Sequence, residues 1–182
     1  MNNNLGSYRG IKPKLGKRVF IEPSAVLYGD IELGDDASIW PLVAARGDVN
    51  YIRIGARTNI QDGSILHLTR KSAALPDGVP LLIGEDVTIG HKVMLHACTI
   101  GNRVLVGMGC IILDGAVVED DVMIGAGSLV PPGKRLVSGY LYVGSPAKQT
   151  RALTDKEKAF LLTSANNYVE LKEDYLAQQG EA

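Results

Sequence analysis

The chain has 182 residues, the length of one domain able to bury a sizeable core. Its 19 Lys and Arg against 20 Asp and Glu leave a net charge of −1, which argues against a basic nucleic-acid footprint and against an acidic tail. Hydrophobic residues at 46% and charged residues at 21% exclude a disordered chain, and two cysteines exclude a disulfide framework or a cysteine-built zinc site.

The N-terminal stretch Met1–Tyr8 has no apolar core of a signal peptide, and no run approaches 18 apolar residues. The expectation is a cytoplasmic protein with no membrane segment and no nucleic-acid partner. Cys98 and Cys110 read as small buried hydrophobes. Glycine is abundant, at 21 residues, and aromatics are scarce, at 5%. Such a composition suggests a core of stacked aliphatic layers.

An aliphatic residue recurs every six positions. The series begins Leu15, Ile21, Leu27, Leu33, Ile39 and Ala45. After a slip of three it resumes at Ile54, Ile60 and Leu66, and after an insertion at Ile83, Ile89 and Leu95. One residue is then deleted, and Ile100, Val106, Ile112, Val118, Ile124 and Val130 follow. Seventeen of these eighteen marks are Val, Ile or Leu, and Ala45 is the other. Glycine often comes next, as at Gly34, Gly55, Gly84 and Gly101, where a permissive backbone is expected near a corner. A period of six fits neither a helix nor a plain strand. It fits a short strand and a sharp turn, repeated, which is the signal of a parallel β-helix. No layer buries its own interior, so stacking makes the core.

This repeat resembles the hexapeptide-repeat superfamily. The resemblance implies a left-handed, three-sided prism with 18 residues per coil, and about six coils would take up the eighteen marks. Pro131, Pro132, Gly133, Gly139, Gly144 and Pro146 read as the exit from the prism. Thr154-Asp155-Lys156-Glu157 reads as a capping box. From Asp155 to about Gln178, Phe160, Leu161, Ala165, Tyr168, Leu171 and Tyr175 recur at helical spacing. The expected division is an all-β solenoid over residues 1–150 and a C-terminal α-helix within 151–182, packed on the prism or on a neighbouring subunit.

The chain has three histidines, His67, His91 and His96. His67 follows Leu66 by one and His96 follows Leu95 by one, and those two marks lie three sides apart. The register therefore stacks the two imidazoles on adjacent coils, about 4.8 Å apart at the backbone and pointing outward. Two imidazoles so placed can share one ion. His91 lies one side earlier, near a corner, so a third ligand requires a neighbouring subunit. Rings closed by such heterologous contacts are a standard assembly. Arg46 continues the outward column below His67. Asp62 lies below His91, with Asn59 and Gln61 beside it. Arg46, Asp48 and Asp62 read either as an interfacial ion-pair network or as groups that orient the site.

Arg46-Gly47-Asp48, then Asn59-Ile60-Gln61-Asp62-Gly63, then His67, His91 and His96 resemble the gamma-class carbonic anhydrase family. Asn166-Asn167-Tyr168-Val169 and Val143-Gly144-Ser145-Pro146-Ala147-Lys148 are also similar to its bacterial members. The likeness covers nearly the whole chain, from Gly10 to the C-terminal helix. It implies a homotrimer with a divalent ion at each interface, Zn²⁺ or alternatively Fe²⁺ or Co²⁺. His67 and His96 of one chain and His91 of the next would be ligands. Gln61 would hydrogen-bond the metal-bound hydroxide or the product, Tyr168 would approach the pocket, and Arg46, Asp48, Asn59 and Asp62 would support the site and interface. The implied reaction is reversible hydration of carbon dioxide to bicarbonate by a hydroxide that the metal makes available near neutral pH.

One departure is visible. The family's fully active members carry glutamates on loops near the metal, one of them a proton shuttle. Here Val49 follows Asp48, Arg70 stands three residues after His67, and the loop Thr69–Pro80 holds one acid, Asp77. The alternatives are a metal-bearing trimer with a scaffold or binding role, or a thioesterase or acyltransferase of the same superfamily.

Overall fold

A computed structural model describes residues 4–180; residues 1–3 and 181–182, which the expected division includes, lie outside it. The chain winds as a left-handed parallel β-helix of three faces and ends in one α-helix, Asp155–Gly180. Two faces merge into a 12-stranded sheet, because Val26–Leu33 and Ala44–Ile54 run unbroken around a corner. The third face is an 8-stranded sheet.

The six-residue marks point inward as expected. Leu27, Ile39, Ala45, Ile60, Leu66, Ile89, Leu95, Val106, Ile112 and Val130 are all buried in one core. The register also follows the marks across the slip, the insertion and the deletion: Leu66 pairs with Leu95, and Ile83 with Ile100. Leu15 departs from the pattern. It is 43% exposed, because it belongs to the first coil and its inward face meets the open end of the stack.

Two expectations change. The prism does not end at Val130. The period continues to Leu136 and Tyr142, both buried, and stops where Tyr140–Gly144 folds back antiparallel onto Ala147–Ala152. Leu5–Gly6 adds a strand before the first mark, so the stack exceeds six coils at both ends. The glycines after the marks also serve a different purpose from the one expected. Gly55 is not in the left-handed region; a Cβ there would lie 2.5 Å from the backbone of Gly84 on the next coil. Close stacking excludes the side chain. The left-handed residues stand two positions later: at some corners they are glycines, Gly63, Gly109, Gly115, Gly127 and Gly133, where the permissive backbone is used, and at another they are charged, Arg18, Asp36, Arg57, Asp86, Arg103 and Asp121. The charged ones pair up the stack, as in Arg57–Asp86 at 2.7 Å and Arg103–Asp121 at 2.7 Å.

The outward positions give the three faces different surfaces. One column reads Val26, Ala44, Ile65, Met94, Ile111 and Leu129, all apolar. A second begins Lys14, Glu32 and Arg53, tied by ion pairs of 3.0 and 3.3 Å. The third begins Phe20, Ser38, Asn59 and Thr88, and the helix covers it.

Thr154 caps the helix as expected: the Glu157 amide donates to its hydroxyl at 3.2 Å, and Glu157 accepts from the Thr154 amide at 2.9 Å. The buried stripe is rotated from the expected one. Leu161, Ser164, Ala165 and Lys172 face the prism, while Phe160, Leu171 and Tyr175 keep 40–47% exposure. Lys172 is fully buried and its Nζ lies 3.1 Å from Asp36 Oδ1. Ser164 and Thr88 hydroxyls meet at 2.9 Å. Trp40 packs edge-on against Tyr168 and Tyr175, with centroids 5.3 Å away in each case. Both cysteines are buried and unpaired, and burial raises their thiol pKa values.

Candidate metal centre at a corner of the prism

His67 and His96 close the strands Ile65–His67 and Met94–His96, which pair in parallel with the two histidines in register. Leu66 and Leu95 point inward, so the imidazoles point out. Their rings tilt toward one another, with His67 Nδ1 3.3 Å from His96 Nε2. Each outer nitrogen meets a carboxylate. His67 Nε2 is 3.1 Å from Asp48 Oδ1, and His96 Nδ1 is 2.9 Å from Asp114 Oδ2.

Burial opposes ionisation of Asp48, but the hydrogen bond from His67 and the charge of Arg46 outweigh it and hold the carboxyl below its ordinary range. Burial likewise opposes ionisation of Asp114, and hydrogen bonds from Thr69 and His96 outweigh it. Both carboxylates are therefore acceptors. With each outer nitrogen donating to its carboxylate, the two inner nitrogens are bare and face the same point. That point suits a cation. Two ligand nitrogens on a tetrahedral ion with bonds of 2.0–2.1 Å are separated by about 3.3 Å. A carboxylate behind each imidazole is also the usual support of a metal-binding histidine.

The other expected residues lie at a different corner of the same chain. His91 Nδ1 is 3.0 Å from Asp62 Oδ2. Gln61 is buried and donates from Nε2 to Asn59 Oδ1 at 3.0 Å, while Asn59 Nδ2 donates to Thr88 Oγ1 at 3.2 Å. Tyr168 comes from the helix to this corner, where burial and the nearby Asp62 charge raise its pKa. Arg46 lies on the His67 side, exposed and ion-paired with Asp48. Among the described residues, no three His, Cys, Asp or Glu side chains of one chain converge on a metal position. One corner thus holds His67, His96, Arg46 and Asp48; the other holds His91, Asn59, Gln61, Asp62 and Tyr168.

The sequence reading missed Asp114 and Thr69, whose side chains hydrogen-bond to each other. A signal for Asp114 was present: it stands two residues after the mark Ile112, as Asp62 and His91 stand after Ile60 and Ile89.

A family model described as bacterial transferase hexapeptide (six repeats) matches residues 97–132. Protein YrdA of Escherichia coli is 68% identical over 178 residues, covering 98% of this chain and 97% of that protein. Gamma carbonic anhydrase 1, mitochondrial, of Arabidopsis thaliana is 43% identical over 166 residues, covering 91% of this chain and 60% of that longer protein. The chain belongs to the gamma carbonic anhydrase-like family of hexapeptide-repeat proteins. A solved structure of a hexapeptide transferase family protein from Anaplasma phagocytophilum superimposes on this family member with a TM-score of 0.89 at 42% identity, covering 96% of this chain and 99% of that one. No helix among the described residues is long and apolar enough to cross a membrane.

Proposed function

We propose that this chain is an enzyme that forms a homotrimer, binds one divalent metal ion at each subunit interface, and interconverts carbon dioxide and bicarbonate. The observation that carries the reading is the pair of facing imidazole nitrogens 3.3 Å apart, each backed by a carboxylate.

Assembly is supported by the surface of the face that bears the pair. Its apolar column includes Ile65 and Ile111, both exposed, while Leu42 and Met108 stand exposed at the His91 corner. An uncovered aliphatic stripe of this kind marks a protein–protein interface. Packing this face around a threefold axis sets the His67–His96 corner against His91 of the partner subunit, which supplies the third imidazole. Asp62 orients His91 through Nδ1 and leaves its Nε2 to face outward. Arg46 holds Asp48, which holds His67.

Zn²⁺ is the first candidate for the ion, with Fe²⁺ and Co²⁺ next, since all accept imidazole. His67 and His96, with His91 of the partner subunit, would hold such an ion, which would supply the Lewis acidity to bring a bound water's pKa to about 7. The loops near the pair lack the glutamates of the family's fully active members. Val49 carries no acid or base, Arg70 stands where a glutamate would, and the one acid of the loop is Asp77. Turnover then depends on buffer to remove the proton, which favours slow hydration, or a scaffold or thioester-cleaving role, as the second reading.

The test is stopped-flow CO₂ hydration on metal-analysed protein, loaded with Zn²⁺ or anaerobically with Fe²⁺, beside His96→Ala. Activity that requires both the metal and His96 supports the anhydrase. One metal per chain without hydration overturns it and favours the second reading.

A further inference from the structure

Beside the His67–Asp48 corner lies a cleft of about 280 Å³, continuous through shared walls with a lobe of about 250 Å³. Its floor is the stretch Gly47–Tyr51, where Val49 adds an apolar patch that Ile11 extends. One wall is the turn Tyr8–Ile11, closed by reciprocal backbone hydrogen bonds of 2.9 and 3.0 Å. Arg9 stands at its tip, its guanidinium 5.3 Å from the Tyr8 ring centroid. The facing wall carries Arg70 and Lys71.

That second wall is built rather than loose. Thr69 and Val79 exchange backbone hydrogen bonds of 3.0 Å, and Asn50 Nδ2 donates to the carbonyls of Thr69 at 3.2 Å and Asp77 at 2.9 Å. Gly78 allows this closure: its φ is +61°, and a Cβ there would meet the Thr69 carbonyl at 2.5 Å.

The charge of the cleft is one-sided. Among the described residues, Arg9, Arg70 and Lys71 form no ion pair within 4.0 Å. The carboxylates that line it are already held: Asp30 by Arg53 at 2.8 Å, and Asp48 by Arg46 and His67. Three free cations over an apolar floor select an oxyanion attached to a short apolar body. Carbon dioxide is uncharged and gains nothing from such a cleft. Bicarbonate has no apolar body to set against Val49 and Ile11.

We propose that this cleft is an anion seat, which takes the phosphate or carboxylate group of a small organic substrate and brings that substrate's body to the His67–His96 corner. The delivery rests on the centre proposed above, but the seat belongs to one chain and its occupancy can be read without metal.

The experiment is isothermal titration of chelator-treated protein at low ionic strength with inorganic phosphate, propionate and bicarbonate in separate arms. His96→Ala, Arg70→Glu, Lys71→Glu and the remote control Lys134→Glu are titrated in parallel. The expected result is one saturable site per chain for phosphate or for propionate, with the stronger arm identifying the oxyanion. Arg70→Glu and Lys71→Glu each weaken it at least tenfold, Lys134→Glu changes it less than twofold, and His96→Ala leaves it intact. Arg9→Ser, on a separate turn, gives the same direction should either loop variant fail to fold. Four results overturn the proposal: no saturable binding of phosphate or propionate, equal weakening by Lys134→Glu, loss of the site in His96→Ala, or binding of bicarbonate alone. Absence of CO₂ hydration in metal-loaded protein bears on the earlier reading only, because these titrations use no metal and no turnover.

Discussion

At the scale of single residues, the proposed centre depends on groups that touch no ion themselves. Asp114 holds His96 through Nδ1 at 2.9 Å and takes a second hydrogen bond from Thr69. Removing its charge frees the imidazole to rotate and to change tautomer. Asp114→Asn is therefore expected to lower metal affinity about 10–100-fold, the usual cost of losing such a partner. Competition against a chelator of known affinity measures it, and an unchanged affinity would remove Asp114 from the site. The His67–His96 stacking was legible in the sequence because both follow a mark by one residue. The Asp114 contact was less so. Its carboxylate reaches one coil down the stack to His96, and a side-chain reach between coils has no signature in spacing alone.

At the scale of the helix, one end is secured by charge and the middle by burial. Glu157 closes the capping box and pairs with Arg151 at 2.7 Å. The Arg151 hydrogen bond, followed by those from Thr154, lowers the Glu157 pKa from 4.5 to about 2. A carboxyl depressed on folding stabilises the folded state above its unfolded pKa and loses that contribution as pH falls through the folded value. Glu157→Gln is accordingly expected to melt below wild type at pH 7. The gap should narrow between pH 4.5 and about 2. Thermal melts across that range check it; a gap independent of pH would assign the effect to packing. The helix itself was readable from its cap and from a stretch free of Gly and Pro. Its rotation was not, because Phe160 and Leu171 are as apolar as Leu161. What selects the buried stripe is the fit of small Ser164 and Ala165 and the pairing of Lys172 with Asp36 on the prism.

At the scale of the molecule, the three faces carry different surfaces: one column is apolar throughout, one begins with the ion-paired Lys14, Glu32 and Arg53 and continues through Leu82, Thr99 and Val117, and one is covered by the helix over its first coils. Among the described residues, the apolar column keeps Val26, Ile65 and Ile111 exposed. Ile65→Glu together with Ile111→Glu places carboxylates in the proposed interface, where each must be desolvated without a partner. Both side chains point outward, so the subunit fold is expected to persist. The expected outcome is monomeric protein by sedimentation that keeps its β-rich circular dichroism but melts lower and no longer binds metal, although His67, His91 and His96 remain. A trimer that survives both substitutions, or a monomer that keeps one tight metal per chain, would contradict the assembly.

The sequence by itself determined a β-helix of stacked aliphatic layers; its register and the His67–His96 stacking followed once the resemblance supplied three sides per coil. A period of six calls for short strands and sharp turns whose aliphatics are buried only by stacking, and every slip in it is compensated before the next mark. It did not locate the end of the prism, because Pro131, Pro132 and Gly133 resemble an exit while Leu136 and Tyr142 continue the core. Tertiary structure alone decided what the glycines directly after the marks, such as Gly34, Gly55, Gly84 and Gly101, are for, since only the next coil shows that no Cβ fits. It also decided that the insertion folds back beside the N-terminal turn to make a basic cleft. Arg9 and Lys71 are 62 positions apart. No local spacing connects them, and they meet only because winding brings the first coil and the loop after His67 to the same corner.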